Sequence, residues 1–324
     1  LIFFAVLLLI FIILRMVSSV KNSIFPDPSS LPQNAFGKLP APFTNNSGNI
    51  NVTYSVDTIS GLLPNFQTIA KVYKIIPVKP DLLAIKKTQE KVRGAGFTKE
   101  GTAISDDSYQ WVESNPPKII TMNILTYEFV FLTPYLTTQS IQKFDNLNQV
   151  QMSIDNAGSF LSNMSLFPQD LDEKKTKTTN YSILSNALVP ATSISNTNIV
   201  RVDFFHKDID NLPIFYENNS NINLLVGKEQ NQLRVMEAHY SHKTISNESS
   251  TYAIKTTSEA FSDLKQGKRF ISQKPQNNNI PIKNVFLGYY VKEKRSDFLM
   301  PIIVFQGDNF TAYVSAVRDE WTNN

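Results

Sequence analysis

Hydrophobic and polar residues along this chain alternate between two spacings, helical stripes followed by groups of short β-type runs. Pro80 and Asp81 suit a helix start, and Leu82, Ile85, Gln89 and Val92 share one face, with Lys86, Lys87, Glu90 and Lys91 largely away from it. Gly94 and Gly96 end that helix. Strands are expected at Tyr109–Val112, Ile119–Leu125 and Tyr127–Thr133, where aromatic and β-branched residues concentrate.

A second stripe runs through Leu147, Val150, Ile154, Ala157, Phe160 or Leu161, and Met164, and Pro168 closes it. Strands follow at Ile199–Phe205, Pro213–Tyr216, Ile222–Val226 and Leu233–Ser241. A third helix opens at Thr256-Thr-Ser-Glu259, a capping-box signature, carries Ala260, Phe261 and Leu264, and ends at Gly267. The strands Val285–Val291, Met300–Phe305 and Phe310–Val317 complete the chain. The charged turn Lys292–Asp297 makes the first two a hairpin, and the apolar run Ile302–Phe305 reads as buried on both faces.

Two N-terminal segments stand apart. Leu1 to Leu14 is unbroken hydrophobic sequence, interrupted at Arg15 and continued by Met16, Val17 and Val20. Fourteen helical residues rise only ~21 Å against a hydrocarbon core of ~30 Å. The run therefore reads as part of a longer transmembrane anchor. No small-x-small cleavage site follows it, as a signal peptide needs, and no polar face marks it as a core helix. Lys21 to Pro64 holds Pro26, Pro28, Pro32, Pro40, Pro42 and Pro64 among Ser and Asn, which predicts an extended stalk with a short strand at Ile50–Val56. The expected organisation is an anchor at 1–21, a stalk at 22–64, a first αβ unit at 65–138 and a two-unit αβ domain at 139–324. The fold class is α+β: a transmembrane helix, then repeated helix-plus-antiparallel-sheet units.

Composition narrows the chemistry. Hydrophobic residues form 42% of the 324, enough for a buried core, and the net charge of +3 offers no clustered basic surface for nucleic acid. The absence of cysteine excludes disulfides, thiolate metal sites and cysteine nucleophiles. Asn45, Asn51, Asn163, Asn180, Asn218, Asn247 and Asn309 each open an N-x-Ser/Thr triplet, as chance produces in an Asn-rich chain.

Candidate reactive residues are few. His239 and His242 form an H-x-x-H pair, but in or beside a strand that spacing points them to opposite sides, so surface histidines are expected. His206 precedes Lys207 with no ligand partner near it in sequence. Asp208-Ile-Asp210-Asn211 lacks the glycine and closing glutamate of a calcium loop. Asp106-Asp107 reads as a solvated turn, and Asp170, Asp172 and Glu173 running into Lys174, Lys175 and Lys177 as a charged loop. Gly94-Ala-Gly96 marks a helix end rather than a phosphate cradle. Tyr289, Tyr290, Phe310 and Tyr313 read as cross-strand packing rather than a binding groove. No hydrolase, nucleotide-binding or zinc-protease motif occurs. No catalytic, cofactor-binding or metal residue is assigned, and no cofactor is expected.

The C-terminal half carries a family likeness. Tyr252 through Gly267, then Val285-Phe-Leu-Gly-Tyr-Tyr290, Leu299-Met-Pro-Ile-Ile-Val-Phe305 and Ala312-Tyr-Val-Ser-Ala-Val317, resemble the final helix and three closing strands of the YycH/YycI group of single-pass regulators, whose extracytoplasmic domains resemble PepSY-like αβ units. The likeness runs over about Gln139 to Val317 and reaches more weakly to Gly94–Phe97 and Tyr109–Trp111. It implies a bacterial envelope location, a body outside the cytoplasm and control of a membrane partner such as a sensor kinase. No functional residues carry over. The expectation is a non-enzymatic, membrane-anchored protein acting through a protein partner, with a structural subunit of a surface assembly as the alternative.

Overall fold

The computed structural model describes residues 31–43, 52–138, 140–275, 277–292 and 296–323. The anchor expected at 1–21 lies outside them. Among the described residues no helix is long and apolar enough to cross a membrane.

The helices form where the stripes place them. Helix α1 (Ala84–Gly94) starts three residues past Asp81 and is turned from the expected face. Ala84, Thr88, Gln89 and Val92 are buried, while Leu82 and Ile85 are exposed. A buried hydrogen bond from Trp111 Nε1 to Gln89 Oε1 at 2.7 Å, with Gln89 Nε2 donating to the Lys99 carbonyl, satisfies Gln89 in the core. Helix α2 (Leu147–Asn163) is capped by Asn146 and buries Ser153, Ala157 and Leu161. Helix α3 (Thr257–Gln266) has the full capping box between Thr256 and Glu259, and Gly267 ends it at φ 86°. A left-handed residue is needed there, and glycine takes that conformation without steric cost.

The units do not repeat as expected, and the fold is mostly β. Strands following α1 and α2 do not close separate sheets. Ser108–Ser114, Pro117–Asn123 and Phe129–Leu132 join Gln232–Tyr240, Ile222–Glu229, Ile199–Phe204, Lys177–Leu184 and Ala187–Pro190, with the two-residue strands Thr102–Ala103 and Ile141–Gln142, in a single ten-stranded antiparallel sheet. Helices α1 and α2 cover the same face of it, over a core that includes Trp111, Ile120, Phe131, Leu161, Val202, Leu224 and Val226. The sheet crosses the expected boundary between 138 and 139, because the pairing of Phe129–Leu132 with Gln232–Tyr240 buries Phe129 and Phe131 against Ala238 and Tyr240.

A second sheet of seven strands is assembled from distant pieces: Ile69–Ile75, Ile214–Tyr216, Ile245–Ala253, Phe270–Gln273, Asn284–Val291, Phe298–Gly307 and Phe310–Ser315. The Asn284–Val291 and Phe298–Gly307 strands form the expected hairpin, and Met300 to Phe305 is buried throughout. Helix α3 packs Ala260, Phe261 and Leu264 on this sheet. The described part of the expected stalk is docked rather than extended from the body. Leu39 is fully buried, Leu39–Pro40 pairs with Thr322–Asn323, and Thr53–Val56 pairs with Asn279–Ile282. Tyr54, Phe43 and Leu39 supply the apolar area that holds it there.

The chain passes from the first sheet to the second twice after α2, between Phe204 and Ile214 and between Tyr240 and Ile245. Those two crossings bring the histidines together.

Candidate functional site

Two places in the structure gather groups that packing alone does not use. The first is a groove on the helix-covered side of the ten-stranded sheet. The strand Phe129–Leu132 is short, and at Thr133 the chain leaves the sheet after one more hydrogen bond to the Met236 carbonyl. A slot of about 350 Å³ opens there between Pro117–Lys118 and Leu233–Met236, walled by α2. That volume falls in the range of small-ligand sites.

Its floor is apolar, with Phe131 and Phe160 rings 5.1 Å apart beside Leu233 and Met236. Asn156 stands in the wall. Its amide nitrogen donates to the Leu233 carbonyl at 3.0 Å, while its Oδ1 is buried with no hydrogen-bond partner. A buried acceptor left unpaired costs about 1–3 kcal/mol, so the groove is short of one donor.

Two cations, Lys118 and Arg234, stand at the mouth with the single carboxylate of Glu229. Lys118 Nζ donates to the Ala95 carbonyl at 2.8 Å and lies 4.9 Å from the Phe97 ring. Burial holds its pKa below the usual lysine value, against the opposing pull of Glu113, and the like charge of Arg234 adds to the depression. Arg234 itself makes only long contacts, 3.3 Å to Gln232 and 4.0 Å to Glu229. Tyr135 donates to Glu237 at 3.1 Å, and burial followed by that carboxylate pushes its pKa up. The arrangement suits a ligand with an apolar group, a hydrogen-bond donor and a negative charge.

The second place is the seam between the sheets. His206 lies just past Ile199–Phe204 and pairs with Leu171 in an isolated bridge, while Lys207 N–H donates to the Asp170 carbonyl. This register lays Asp170 beside His206. His242 follows Gln232–Tyr240, and its Nε2 lies 2.9 and 3.1 Å from the two Asp170 oxygens. The two imidazoles stack with centroids 5.1 Å apart. Tyr216, from the second sheet, accepts the His206 backbone N–H at 3.1 Å and bonds its Nδ1 at 2.8 Å.

His206 is 4% exposed, and its Nε2 has no hydrogen-bond partner; the nearest Asp170 oxygen is 3.9 Å away. Burial, then the neighbouring His242, pulls the His206 pKa down to about 4 against the opposing pull of Asp170. Burial raises the Asp170 pKa, but the hydrogen bond and charge of His242 outweigh it and leave the carboxyl below its ordinary value.

The residues singled out in sequence therefore sort differently in space. His242 pairs with His206 and Asp170 and not with His239, which sits within its strand opposite Val130. Asp170 leaves the charged loop for this cluster, while Asp172 caps the short helix Glu173–Lys175. Asp210 and Asn211 form a left-handed turn, and Asp210 accepts from Tyr73 at 2.6 Å and Lys71 at 3.2 Å. Asp107 accepts from Ser105, Asn123 and Ser108, which hold its carboxyl below the usual range. Tyr289, Tyr290, Phe310 and Tyr313 are buried packing residues. Sequence reading missed the groove residues Lys118, Asn156 and Arg234 and the joining of Asp170 to His206. No local spacing signals either, since Asp170 and His242 are 72 residues apart.

No family model matches the chain, and no curated protein matches it. Among solved structures, it is similar to an uncharacterized protein from Eubacterium rectale at 11% identity and TM-score 0.39, covering 78% of this chain and 80% of the other. It is also similar to the Bacillus megaterium YpeB C-terminal domain at 11% identity and TM-score 0.34, covering 74% and 94%. Likeness this slight assigns neither a fold family nor a role.

Proposed function

We propose that this chain is a non-enzymatic binding module of the bacterial envelope, anchored by its N-terminal apolar segment with its body outside the cytoplasm, and that its groove holds a short segment of a regulatory protein partner. The observation that carries the reading is the groove itself: an apolar floor of Phe131 and Phe160, an unpaired acceptor on Asn156, and two cations, Lys118 and Arg234, at one mouth. An extended peptide supplies all three complements. A large apolar side chain fills the floor, a backbone or side-chain N–H meets Asn156, and an acidic group reaches the cations. The YycH/YycI likeness, which runs over about Gln139 to Val317, supports a membrane partner such as a sensor kinase.

A second reading, a subunit of a surface assembly, draws on the opposite face of the same sheet. Val112, Ile119 and Leu132 lie side by side on adjacent strands with Val130 beside them, each more than a third exposed. Contiguous exposed apolar residues mark contact surfaces more often than isolated ones do.

A photo-crosslinking residue placed at Ser159 in the groove wall and, in a second variant, at Val130 on the opposite face, in intact membranes, separates the readings. The expected result is a single hetero-adduct that disappears with Lys118→Glu and Arg234→Glu together. Adducts insensitive to the charge reversal, or adducts only to another copy of the chain from Val130, would overturn the groove reading.

A further inference from the structure

Three groups at the seam between the sheets have the chemistry of a metal centre. The candidate ligand atoms of Asp170, His206 and His242 all lie within 4.8 Å of one another. In a tetrahedral zinc site with bonds of ~2.0–2.1 Å, ligand atoms stand ~3.3 Å apart. Closing the cluster onto an ion therefore takes side-chain adjustments of about an ångström. Two imidazoles and one carboxylate suit zinc and similar borderline ions better than calcium or magnesium, which take oxygen ligands.

The second observation is the orphaned nitrogen. His206 Nε2 is buried, faces Asp170 at 3.9 Å and finds no partner. If the Nδ1 proton is donated to Tyr216, Nε2 presents a bare lone pair toward a carboxylate. If the proton sits on Nε2, the oxygen is too far to accept it. Either tautomer leaves the atom unsatisfied, and a cation between the rings and the carboxylate satisfies it. Tyr216 Oη on Nδ1 at 2.8 Å fixes the ring orientation, as the outer partners of metal-binding histidines do.

The neighbouring lysines leave the position clear. Lys207 Nζ donates to the Gln169 carbonyl at 2.8 Å, and Lys243 is bonded to Glu128. A cavity of about 260 Å³ lined by Tyr73, Asp170, His206, Ile214 and Ser246 adjoins the cluster and has room for water at a fourth position.

We propose that Asp170, His206 and His242 form a mononuclear zinc site, with water as the fourth ligand, that ties together the two chain crossings between the sheets. Its role is structural: the ion links residue 206, residue 242 and, through Tyr216, the second sheet, so it sets how the two sheets sit against each other. This goes beyond the groove and does not depend on it.

The test uses the full-length chain, stripped with chelator and titrated with Zn²⁺ by calorimetry, with Co²⁺ as an optical probe. The expected result is one Zn²⁺ per chain, a higher Tm with the ion bound, and a tetrahedral Co²⁺ absorption band. His206→Gln and His242→Gln each weaken binding by at least about a hundredfold. Tyr216→Phe weakens it about tenfold to a hundredfold, and His239→Gln leaves it unchanged. Zinc-edge X-ray absorption on the wild-type chain needs no variant and is expected to show two imidazoles per ion. No saturable binding, an ion without imidazole ligands, or binding lost in His239→Gln but kept in His242→Gln would overturn the proposal.

Discussion

The Lys255–Asp263–Asp319 cluster beside α3 and the Asp170–His206–His242 cluster at the seam are both small groups of buried and half-buried ionisable side chains, and they differ in how fully they are satisfied. Lys255 lies 2.7 Å from Asp263 and 2.6 Å from Asp319, and Lys268 reaches the other oxygen of each carboxylate at 3.5 and 3.4 Å. Every carboxylate oxygen there meets a cation. At the seam one buried imidazole nitrogen meets nothing. The first cluster is a closed ionic joint between α3 and the C-terminal segment. The second is a joint with one member missing. Burial is therefore a poor guide to function by itself; an unpaired buried atom is the better one.

That contrast can be broken by mutation. Asp263→Ala removes the more buried partner of Lys255 and leaves Asp319 at 2.6 Å, so it is expected to cost about 1.5–3 kcal/mol, the range for a hydrogen bond to a charged group, read as a fall in the urea midpoint. In metal-free protein Asp170→Asn is expected to cost no more than about 1 kcal/mol, because the carboxyl is 42% exposed and both its oxygens share one imidazole, that of His242. Equal losses from the two variants would abolish the distinction between a closed and an open cluster.

A smaller effect sharpens it through pH. The hydrogen bond from Lys255, with its charge and that of Lys268, holds the Asp319 carboxyl below its ordinary value of 3.8. A carboxylate whose folded pKa is depressed stabilises the protein above the unfolded value, and that contribution is lost as pH falls through the folded value. Acid unfolding of the wild type is thus expected to steepen below about pH 4, and Asp319→Asn is expected to flatten that limb. An unchanged acid limb in the variant would show that the closed cluster contributes nothing there. The Lys118/Arg234 reversal and the zinc titration extend the same comparison to the groove and the seam.

Much of the local structure was legible in the residues. The capping box at Thr256 and the glycine stop at Gly267 bound α3 as read, because both act within one turn of chain. The aromatic and β-branched runs form strands at 108–132, 199–240 and 284–315. The polar strands Lys177–Leu184 and Ile245–Ala253 escaped, since one lies at a half-exposed flank and the other takes its place from pairing with Ile69–Ile75. The face of α1 was read in part: Gln89 and Val92 are buried as expected, but Leu82 precedes the helix and Ile85 is exposed while Ala84 and Thr88 meet the core, because the line along which a helix docks is set by the rest of the fold, which hydrophobic spacing cannot register. The repeat expectation failed for the same reason at larger scale: a period of helix and strands says nothing about which strands pair.

The sequence by itself determined the elements whose causes are local, namely caps, apolar stripes, strand runs and turns, and it excluded thiol chemistry outright. Only the tertiary structure decided that two helices share one sheet, that Thr53–Val56 docks on the body, and that Asp170, His206 and His242 meet. Local order follows from interactions within a few residues. Pairing of distant strands and convergence of distant side chains depend on how the whole chain buries its apolar surface, and no short window of sequence contains that information.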